Sequence, residues 1–307
     1  MRFRRKTAFL PLLFLWIILS GCGPGAVREP PGQTIQPREQ VALVPEKTAA
    51  KDVRLEDENV GGLKESQVLE KIRGHAAKLD IAARDAVLDA RTWEPASKES
   101  GGQSVDVEAT MSAVFQAAEG GNVRLVIRKT APSVTSAMLE KNIVRIGSYT
   151  TDVIDRRRAR INNIDLAAGK LDYYKLQPGD EFSFNRIVGK RTSADGYEEA
   201  PIIIRTKDGP KKKQGIGGGI CQLSTTLYNA VEETGMRITE RHMHSKEVPY
   251  VQKGEDATVS YGSADLKFVN TRSYPVMLRV FNTRSHVTVY IYENRNLVEQ
   301  REIRPIR

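Results

Sequence analysis

The chain has few of the residues on which several common kinds of site depend. Its 307 residues include two cysteines, two tryptophans and four histidines, and aromatic residues make up 7% of it. The paired cysteine spacing of structural zinc sites is absent, so we expect neither a metal nor another cofactor. The aromatic residues are not interleaved with the basic runs, which argues against nucleic-acid binding. No internal repeat occurs, and no long apolar run follows the first 22 residues.

Residues 1–22 are typical of an export signal. A basic start precedes an apolar run from Ala8 to Leu19, and at about a dozen residues this run is too short to span a bilayer comfortably. Leu19-Ser20-Gly21-Cys22 resembles a bacterial lipobox, which implies cleavage before Cys22 and lipidation of its thiol. The protein would then be extracytoplasmic and anchored to the bacterial membrane. The alternative, an ordinary signal peptide cut near Gly25-Ala26, would release it.

The sequence carries an excess of positive charge. The formal net charge is +9 at pH 7, and loss of the leader with its four basic residues would leave about +5. Such a surface favours anionic neighbours, such as phospholipid headgroups, wall polymers and peptide carboxylates.

Composition and periodicity divide the chain into segments of an α+β protein. Residues 23–62 are rich in Pro, Gly, Glu, Lys and Gln without a sustained apolar period, which predicts a flexible tether. Residues 63–135 mix helical and strand patterns and predict a small α/β module. Residues 140–285 predict a mostly β domain with one cysteine-bearing helix, and residues 286–307 a C-terminal strand with a basic tail.

Local patterns give specific elements within these segments. The spacing predicts a helix over 67–81, and Asp106 is the expected N-cap of a helix that continues to Ala118. A strand is expected over 123–128. Beyond a Pro178-Gly179 turn, alternation should drive Phe182 and Phe184 into the core. Further short strands are expected around 236–238, 248–251, 257–260, 266–269, 276–281 and 287–291.

The central feature of the sequence is a cysteine at a junction between glycines and a helix. Gly215-Ile216-Gly217-Gly218-Gly219-Ile220-Cys221-Gln222 precedes apolar residues at helical spacing, with Gly235 as the stop. Cys221 therefore lies in the first helical turn, where unpaired N–H groups and the helix dipole favour the thiolate. Backbone N–H groups from Gly219 to Gln222 could stabilise an oxyanion, with Gly217 and Gly218 allowing close approach. The competing interpretation is a buried cysteine that only fills space.

Two histidines follow the cysteine helix. His242 and His244 are two residues apart, so on a strand both would face the same side, and either could act as the base for Cys221. Asp256 or Asp265 could then orient the imidazole. The lysines at 211–213 either draw in a carboxylate-bearing substrate or form a solvated turn.

Long ordered motifs give the chain a resemblance to a known family. Through Gln103 to Thr110, Gly120-Gly121 and Pro132 to Thr135, the module at 63–135 is similar to the peptidoglycan-binding module that often precedes VanW domains, although a plain packing domain is the alternative. The block from 160 to 280 resembles the VanW family. The motifs that carry this second resemblance are Arg160, Asn163-Ile164, Pro178 to Asn185, Val188 to Thr192, Gly196-Tyr197, Gly215 to Gln222, Arg241 to Ser245, Asp256 to Gly262, Asp265 to Phe268 and Tyr274 to Val276.

The resemblance implies a function on peptidoglycan. Some VanW proteins act as L,D-transpeptidases, which cross-link peptidoglycan stem peptides through a cysteine acyl-enzyme; that role would fall to Cys221 here, with His244 or His242 and Asp256 as its partners. Two other functions stay open. One is a papain-like cell-wall peptide hydrolase with the same acyl-enzyme, and the other is a non-catalytic wall-binding lipoprotein.

Overall fold

The computed structural model describes residues 46–296. The predicted leader, the predicted lipidation site Cys22, the tether up to residue 45 and the basic tail from residue 297 lie outside the described residues. Within 46–296, no helix is both long enough and apolar enough to cross a membrane.

The amino-terminal module, residues 46–135, contains two helices and seven short strands. They are β1 (Arg54–Leu55), β2 (Glu58–Asn59), α1 (Glu65–Leu79), β3 (Val87–Leu88), β4 (Pro95–Ser97), β5 (Gly102–Val105), α2 (Val107–Gln116), β6 (Asn122–Val123) and β7 (Ile127–Thr130). The strand expected over 123–128 is thus two strands, β6 and β7, in different sheets. Asp106 caps α2 as expected, and its carboxylate accepts a hydrogen bond from the Ala109 backbone at 3.0 Å.

The core of this module begins earlier than the composition suggested. Helix α1 buries Val68, Ile72 and Ala76, which are spaced by four residues and so share one face. Against them pack Val53 and Leu55, both fully buried, together with Ala49 and Val60. Residues 46–62 are therefore folded, and the prediction of a flexible tether is wrong for them, because a few buried apolar residues within a polar stretch supply enough core contact.

The carboxyl-terminal domain, residues 136–296, contains four helices and nine strands. They are α3 (Ser136–Lys141), β8 (Ile143–Asp152), α4 (Arg158–Leu171), β9 (Lys175–Leu176), β10 (Glu181–Ser183), α5 (Phe184–Val188), β11 (Glu199–Thr206), β12 (Gly209–Ile216), α6 (Ile220–Thr234), β13 (Arg237–Glu240), β14 (Lys267–Val269), β15 (Val276–Asn282) and β16 (His286–Asn294). The α+β class expected from the sequence, with mostly β structure in this half, is confirmed.

A four-stranded antiparallel sheet supports the two long helices of this domain. Its order is β8-β16-β15-β9, with α6 packed on β8 and β16 and α4 packed on β15. Strand β16 lies between β8 and β15, so it is part of the domain and not a separate segment that begins at residue 286. A second sheet has the order β10-β14-β13, and β11 and β12 form a hairpin of their own.

Helix α6 is held by apolar packing. Its residues Leu223, Leu227, Ala230 and Val231 are fully buried at helical spacing, and each leucine contributes about 1.5–3 kcal/mol by leaving water. The helix ends at Gly235, whose φ of 69° is left-handed. Phe182 and Phe184 are fully buried as expected. Phe184, however, begins helix α5 and does not extend strand β10.

Two expected strands do not form. Residues 248–251 include a turn and a bend, and residues 257–260 are not in a strand. Near the second segment, side chains of α6 occupy backbone groups that a sheet would need. Asn229 donates to the carbonyl of Glu255 at 2.8 Å, and Ser224 donates to that of Ala257 at 2.6 Å. The segment 255–259 is therefore fastened to the cysteine helix.

Candidate active site

Cys221 lies in the first turn of α6, as the glycine-to-helix junction predicted. Gly219 is the N-cap residue with a left-handed φ of 112°, a conformation that side chains rarely adopt. Gly218 passes so close to the preceding hairpin that a Cβ there would lie 2.7 Å from the backbone of Ala200. Gly218 thus holds the turn tightly against β11, while Gly219 lies against Arg160 and Ile164 of α4, and Cys221 is partly exposed.

His244 and Asp256 form a buried pair beside the thiol. The Nδ1 atom of His244 lies 2.7 Å from Oδ2 of Asp256, and the backbone N–H of His244 donates to the same oxygen at 2.6 Å. The two side chains are only 8% and 11% exposed. Since Nδ1 is engaged by the carboxylate, Nε2 is the atom that is left to serve Cys221.

The segment after Asp256 completes the surroundings of the sulfur atom. The Cys221 Sγ lies 3.3 Å from Thr258 Oγ1 and 3.4 Å from the carbonyl oxygen of Val259. Arg241 donates to the Asp256 carbonyl at 2.9 Å, and its guanidinium lies 4.1 Å from the centre of the Tyr228 ring on α6. The carboxylate and the thiol are thus tied to the same helix.

Electrostatics favour an ionised thiol. Burial raises the pKa of Cys221, but hydrogen bonding and charge attraction from His244, with help from Thr258, outweigh it and lower the pKa to about 7. Burial likewise lowers the pKa of His244, while Cys221 and Asp256 raise it, and the net direction is upward. The two groups favour a thiolate and imidazolium ion pair near neutral pH.

The structure brings His244 to the thiol and leaves His242 outside. The His242 side chain is 44% exposed, and its Nε2 lies 2.9 Å from Oε1 of Glu240. The other oxygen of that carboxylate, Oε2, lies 2.8 Å from Nζ of Lys267. The expectation that both histidines face one side fails because β13 ends at Glu240, so residues 241–244 are not a strand. Asp265 is also elsewhere, where it accepts from Ser183 and from the Asn185 backbone.

Some of the backbone N–H groups predicted to stabilise an oxyanion are already used in hydrogen bonds. The N–H of Gln222 donates to Gly219 at 2.9 Å, and that of Ile220 donates to Gly217 at 3.3 Å. In the part of the chain that the structure describes, the N–H groups of Gly218, Gly219 and Cys221 make no hydrogen bond. These three are therefore the candidates for stabilising a negative oxygen near Sγ.

The Gln222 side chain joins neighbouring elements of the protein and has no free amide group to offer a substrate. Its side chain is 1% exposed, donates to Thr151 Oγ1 and to the Asp152 carbonyl at 3.0 Å each, and accepts from Arg160 Nη2 at 2.9 Å. The expectation that Gln222 binds substrate directly is not supported by this geometry, because all polar atoms of its amide are engaged.

A cleft of about 560 Å³ opens over Cys221. One wall comes from the hairpin β11–β12 with Ile202, Ile203 and Ile204, and the opposite wall from the 248–261 segment with Val248, Tyr250 and Tyr261. His244 and Thr258 also line it. A cleft of this volume, lined by both apolar and polar residues, is large enough to hold a short peptide segment.

Comparison with known proteins finds a family similarity in the part of the chain that holds this cleft. Residues 159–292 match the family model described as VanW like protein. This part of the chain is similar to the VanW family. The uncharacterized protein YoaR of Bacillus subtilis (strain 168) is 38% identical over 164 residues, which are 53% of this chain and 53% of YoaR.

A second relative is the vancomycin B-type resistance protein VanW of Enterococcus faecalis (strain ATCC 700802 / V583). It is 34% identical over 116 residues, which cover 36% of this chain and 41% of that protein. The chain thus spans about half, or less, of the length of these curated relatives. No solved structure matches the chain.

Several residues at this site had no predicted role. Thr258 touches the sulfur atom, Tyr250 lines the cleft, and Arg160 and Arg191 line it next to the glycine turn. Burial raises the pKa of Tyr250 well above its usual range, so the hydroxyl stays neutral. Arg160, Arg191 and Thr258 do lie in motifs that carry the family resemblance, and that was the available signal; Tyr250 lies outside them.

No metal-binding cluster accompanies these residues. Among residues 46–296, no three or more His, Cys, Asp or Glu side chains are arranged to hold a metal ion.

Proposed function

We propose that this protein is a cell-envelope acyltransferase of the L,D-transpeptidase type that acts on peptidoglycan stem peptides. The observation that carries the proposal is the Cys221, His244 and Asp256 arrangement, with a thiol pKa of about 7, at the base of an open cleft. A thiol that only filled space in the core would have its pKa raised by burial without compensation.

In the first half of the reaction, the thiolate of Cys221 attacks the carbonyl carbon of an L-residue in the stem peptide. The backbone N–H groups of Gly219 and Cys221 stabilise the oxygen that becomes negative. The carbon–nitrogen bond to the terminal D-residue then breaks. His244 gives its Nε2 proton to the leaving amine, and an acyl-thioester on Cys221 remains.

In the second half, an amine of a neighbouring stem attacks the thioester carbonyl. Neutral His244 accepts the proton of this amine, the carbon–sulfur bond breaks, and Cys221 leaves as a thiolate. Asp256 holds the imidazole with Nε2 towards the sulfur in both halves. The products are a cross-linked dimer and the regenerated enzyme.

Incubation of the purified full chain with a muropeptide monomer tests the proposal. Mass spectrometry should show a dimer and the released terminal residue, together with an acyl adduct on Cys221 that is sensitive to hydroxylamine. Cys221→Ala should give none of these products, whereas Cys22→Ala, which removes the other cysteine, should keep them.

Other outcomes would replace the proposal with a specific alternative. Free acid without dimer would mean that water, and not an amine, resolves the acyl-enzyme, so the protein would be a peptide hydrolase. Turnover that persists in Cys221→Ala would remove the cysteine mechanism. Peptidoglycan binding without any product, unchanged by alkylation of Cys221, would indicate a wall-binding protein.

We also propose that the protein is a lipoprotein whose amino-terminal module binds peptidoglycan. Cleavage before Cys22 would place lipid about two dozen residues ahead of residue 46, and a tether of that length would reach tens of ångströms if it is as flexible as its composition predicts. Metabolic labelling with palmitate should mark the wild type and not Cys22→Ala. Sedimentation with purified cell walls, compared between the full chain and a chain that starts at residue 136, tests the module.

A further inference from the structure

Two arginines flank the glycine turn that holds Cys221. Arg191 packs its stem against Gly217, where a Cβ would lie 3.2 Å from both Cβ and Cγ of the arginine. Arg160 packs against Gly219, where a Cβ would lie 3.0 Å from its Cγ. Both side chains line the cleft. The stems of two cleft-lining arginines therefore pack against the turn that precedes the nucleophile.

Neither guanidinium has a carboxylate partner. Arg160 Nη2 donates to Gln222 Oε1 at 2.9 Å, and Arg191 Nη1 donates to Asn185 Oδ1 at 2.6 Å, so both known acceptors are neutral amides. No carboxylate among residues 46–296 lies within 4.0 Å of either group. In addition, Arg160 Nε and Arg191 Nη2 are enclosed without any acceptor.

Unpaired, partly buried guanidinium groups cost free energy in the unliganded protein. Asp155 is an acid that lines the cleft, and both of its oxygens accept from Arg157 at 2.8 Å. Lys190 and Lys212 add further positive charge to the lining. The protein anions near the two arginines are the Cys221 thiolate, Asp155 and Asp265, and Asp265 already accepts from Ser183 and Asn185. In the part of the chain that the structure describes, none of these anions is hydrogen-bonded to Arg160 or Arg191, so a ligand carboxylate would be stabilised there.

We propose that Arg160 and Arg191 form a carboxylate subsite beside Cys221, which receives the free terminal carboxylate of the acyl-donor peptide. This inference rests on the proposed acyl transfer. A planar guanidinium can bind a carboxylate through two parallel N–H donors, which a lysine cannot do. The subsite selects donors whose cleaved bond precedes the terminal residue, so the protein exchanges or removes a terminal residue and does not cut within a chain.

A pair of thiol reagents tests the subsite without a peptide substrate. Iodoacetate and iodoacetamide alkylate the same sulfur, but iodoacetate carries a carboxylate where iodoacetamide carries a neutral amide. In a Cys22→Ala background, the rate constants with Cys221 are measured at the upper plateau of each variant's own pH profile, so that changes in the thiol pKa do not contribute.

The expected result is a change in the ratio of the two rate constants. Arg160→Gln and Arg191→Gln should each lower the iodoacetate-to-iodoacetamide ratio by about tenfold, the scale of a charge-assisted hydrogen bond. Arg158→Gln is the matched control: it lies on the same helix, is 89% exposed, and should leave the ratio within about twofold because exposed charges are screened. An unchanged ratio in both cleft variants would overturn the subsite.

Arg160→Lys and Arg191→Lys keep the positive charge and serve as controls for correct folding. They should retain part of the ratio and melt close to the wild type. If the glutamine variants slow both reagents equally, the arginines act only on the thiol, and the subsite is rejected.

Donor peptides separate this inference from the function on which it rests. A muropeptide stem with a free terminal carboxylate should react at least about tenfold better in kcat/KM than its terminal carboxamide, and the preference should vanish in Arg191→Gln. A donor amidated only on a side-chain carboxylate should behave like the unmodified one. Turnover without this preference would leave the acyl transfer standing and reject the subsite.

Peptide binding to the inactive Cys221→Ala chain tests the subsite even if the wild type forms no product. A calorimetric preference for the free carboxylate over the carboxamide, lost in Cys221→Ala with Arg191→Gln, would support the subsite even if the wild type forms no product. Equal affinity for both peptides would reject it.

Discussion

His242 and His244 are two residues apart and each meets a carboxylate, but the two pairs lie in different surroundings. His242 and Glu240 are 44% and 31% exposed, and the third partner is a lysine. His244 and Asp256 are 8% and 11% exposed, and the third partner is the Cys221 thiol. Burial and the nature of the third group, not the histidine–carboxylate contact, distinguish the candidate active site.

The largest expected difference between the two pairs is catalytic. His244→Ala should reduce kcat/KM for acyl transfer by about 10³-fold, the scale of a lost general acid and base. His242→Ala should change it less than about threefold, since His242 lies away from the thiol. The comparison collapses if both variants lose activity to the same degree. Melting temperatures of the two variants control for folding.

A smaller loss is expected from the carboxylate of the buried pair. Asp256→Asn keeps the size of the side chain but no longer stabilises the imidazolium, so kcat should fall by about a hundredfold, the lower end of the range for general acid–base catalysis. The activity loss should grow as pH rises, because Asp256 raises the pKa of His244 and the variant's imidazolium therefore loses its proton at a lower pH. Asp265→Asn is not a suitable control since it disturbs Ser183 and Asn185, so Glu240→Gln serves as the control. Equal losses in Asp256→Asn and Glu240→Gln would refute the assignment.

The thiol pKa should report the same contrast. Iodoacetamide labelling of Cys221 in a Cys22→Ala background should have its midpoint near pH 7. The thiolate is lost as pH falls through that value. His244→Ala removes the main groups that lower the pKa while burial remains, so the midpoint should rise above the ordinary cysteine value, and labelling at neutral pH should slow by about tenfold or more. An unchanged midpoint would mean that the His244 imidazole is too far from the thiol to affect its pKa.

The smallest effect belongs to the exposed pair. Lys267 and His242 lower the pKa of Glu240 to about 2, so its contribution to stability is present above the unfolded pKa of about 4.3 and is lost as pH falls towards 2. Since the pair is solvated, Glu240→Gln should lower the free energy of unfolding at neutral pH by about 1 kcal/mol or less. Urea unfolding across pH measures it. A loss several times larger would mean that this pair supports the fold.

The elements of the site were accessible to sequence reasoning to different degrees. The cysteine helix, its glycine entry and its stop at Gly235 followed from spacing, because helix geometry depends on neighbours a few residues away. The choice of His244 over His242 did not, since it depends on where β13 ends and on how Arg241 and Asp256 position the next loop. Arg160 and Arg191 were visible in the family motifs, but nothing local indicated that they flank one turn.

Spacing along the chain determined that Cys221 would start a helix after a tight glycine turn, since the required φ values and apolar periodicity are properties of a few consecutive residues. Tertiary structure alone decided what surrounds the sulfur atom. Polar side chains of α6, such as Ser224 and Asn229, fasten the segment 255–259, which is more than twenty residues away, against the helix. That long-range contact brings Asp256, Thr258 and His244 to the thiol, and no short sequence window contains it.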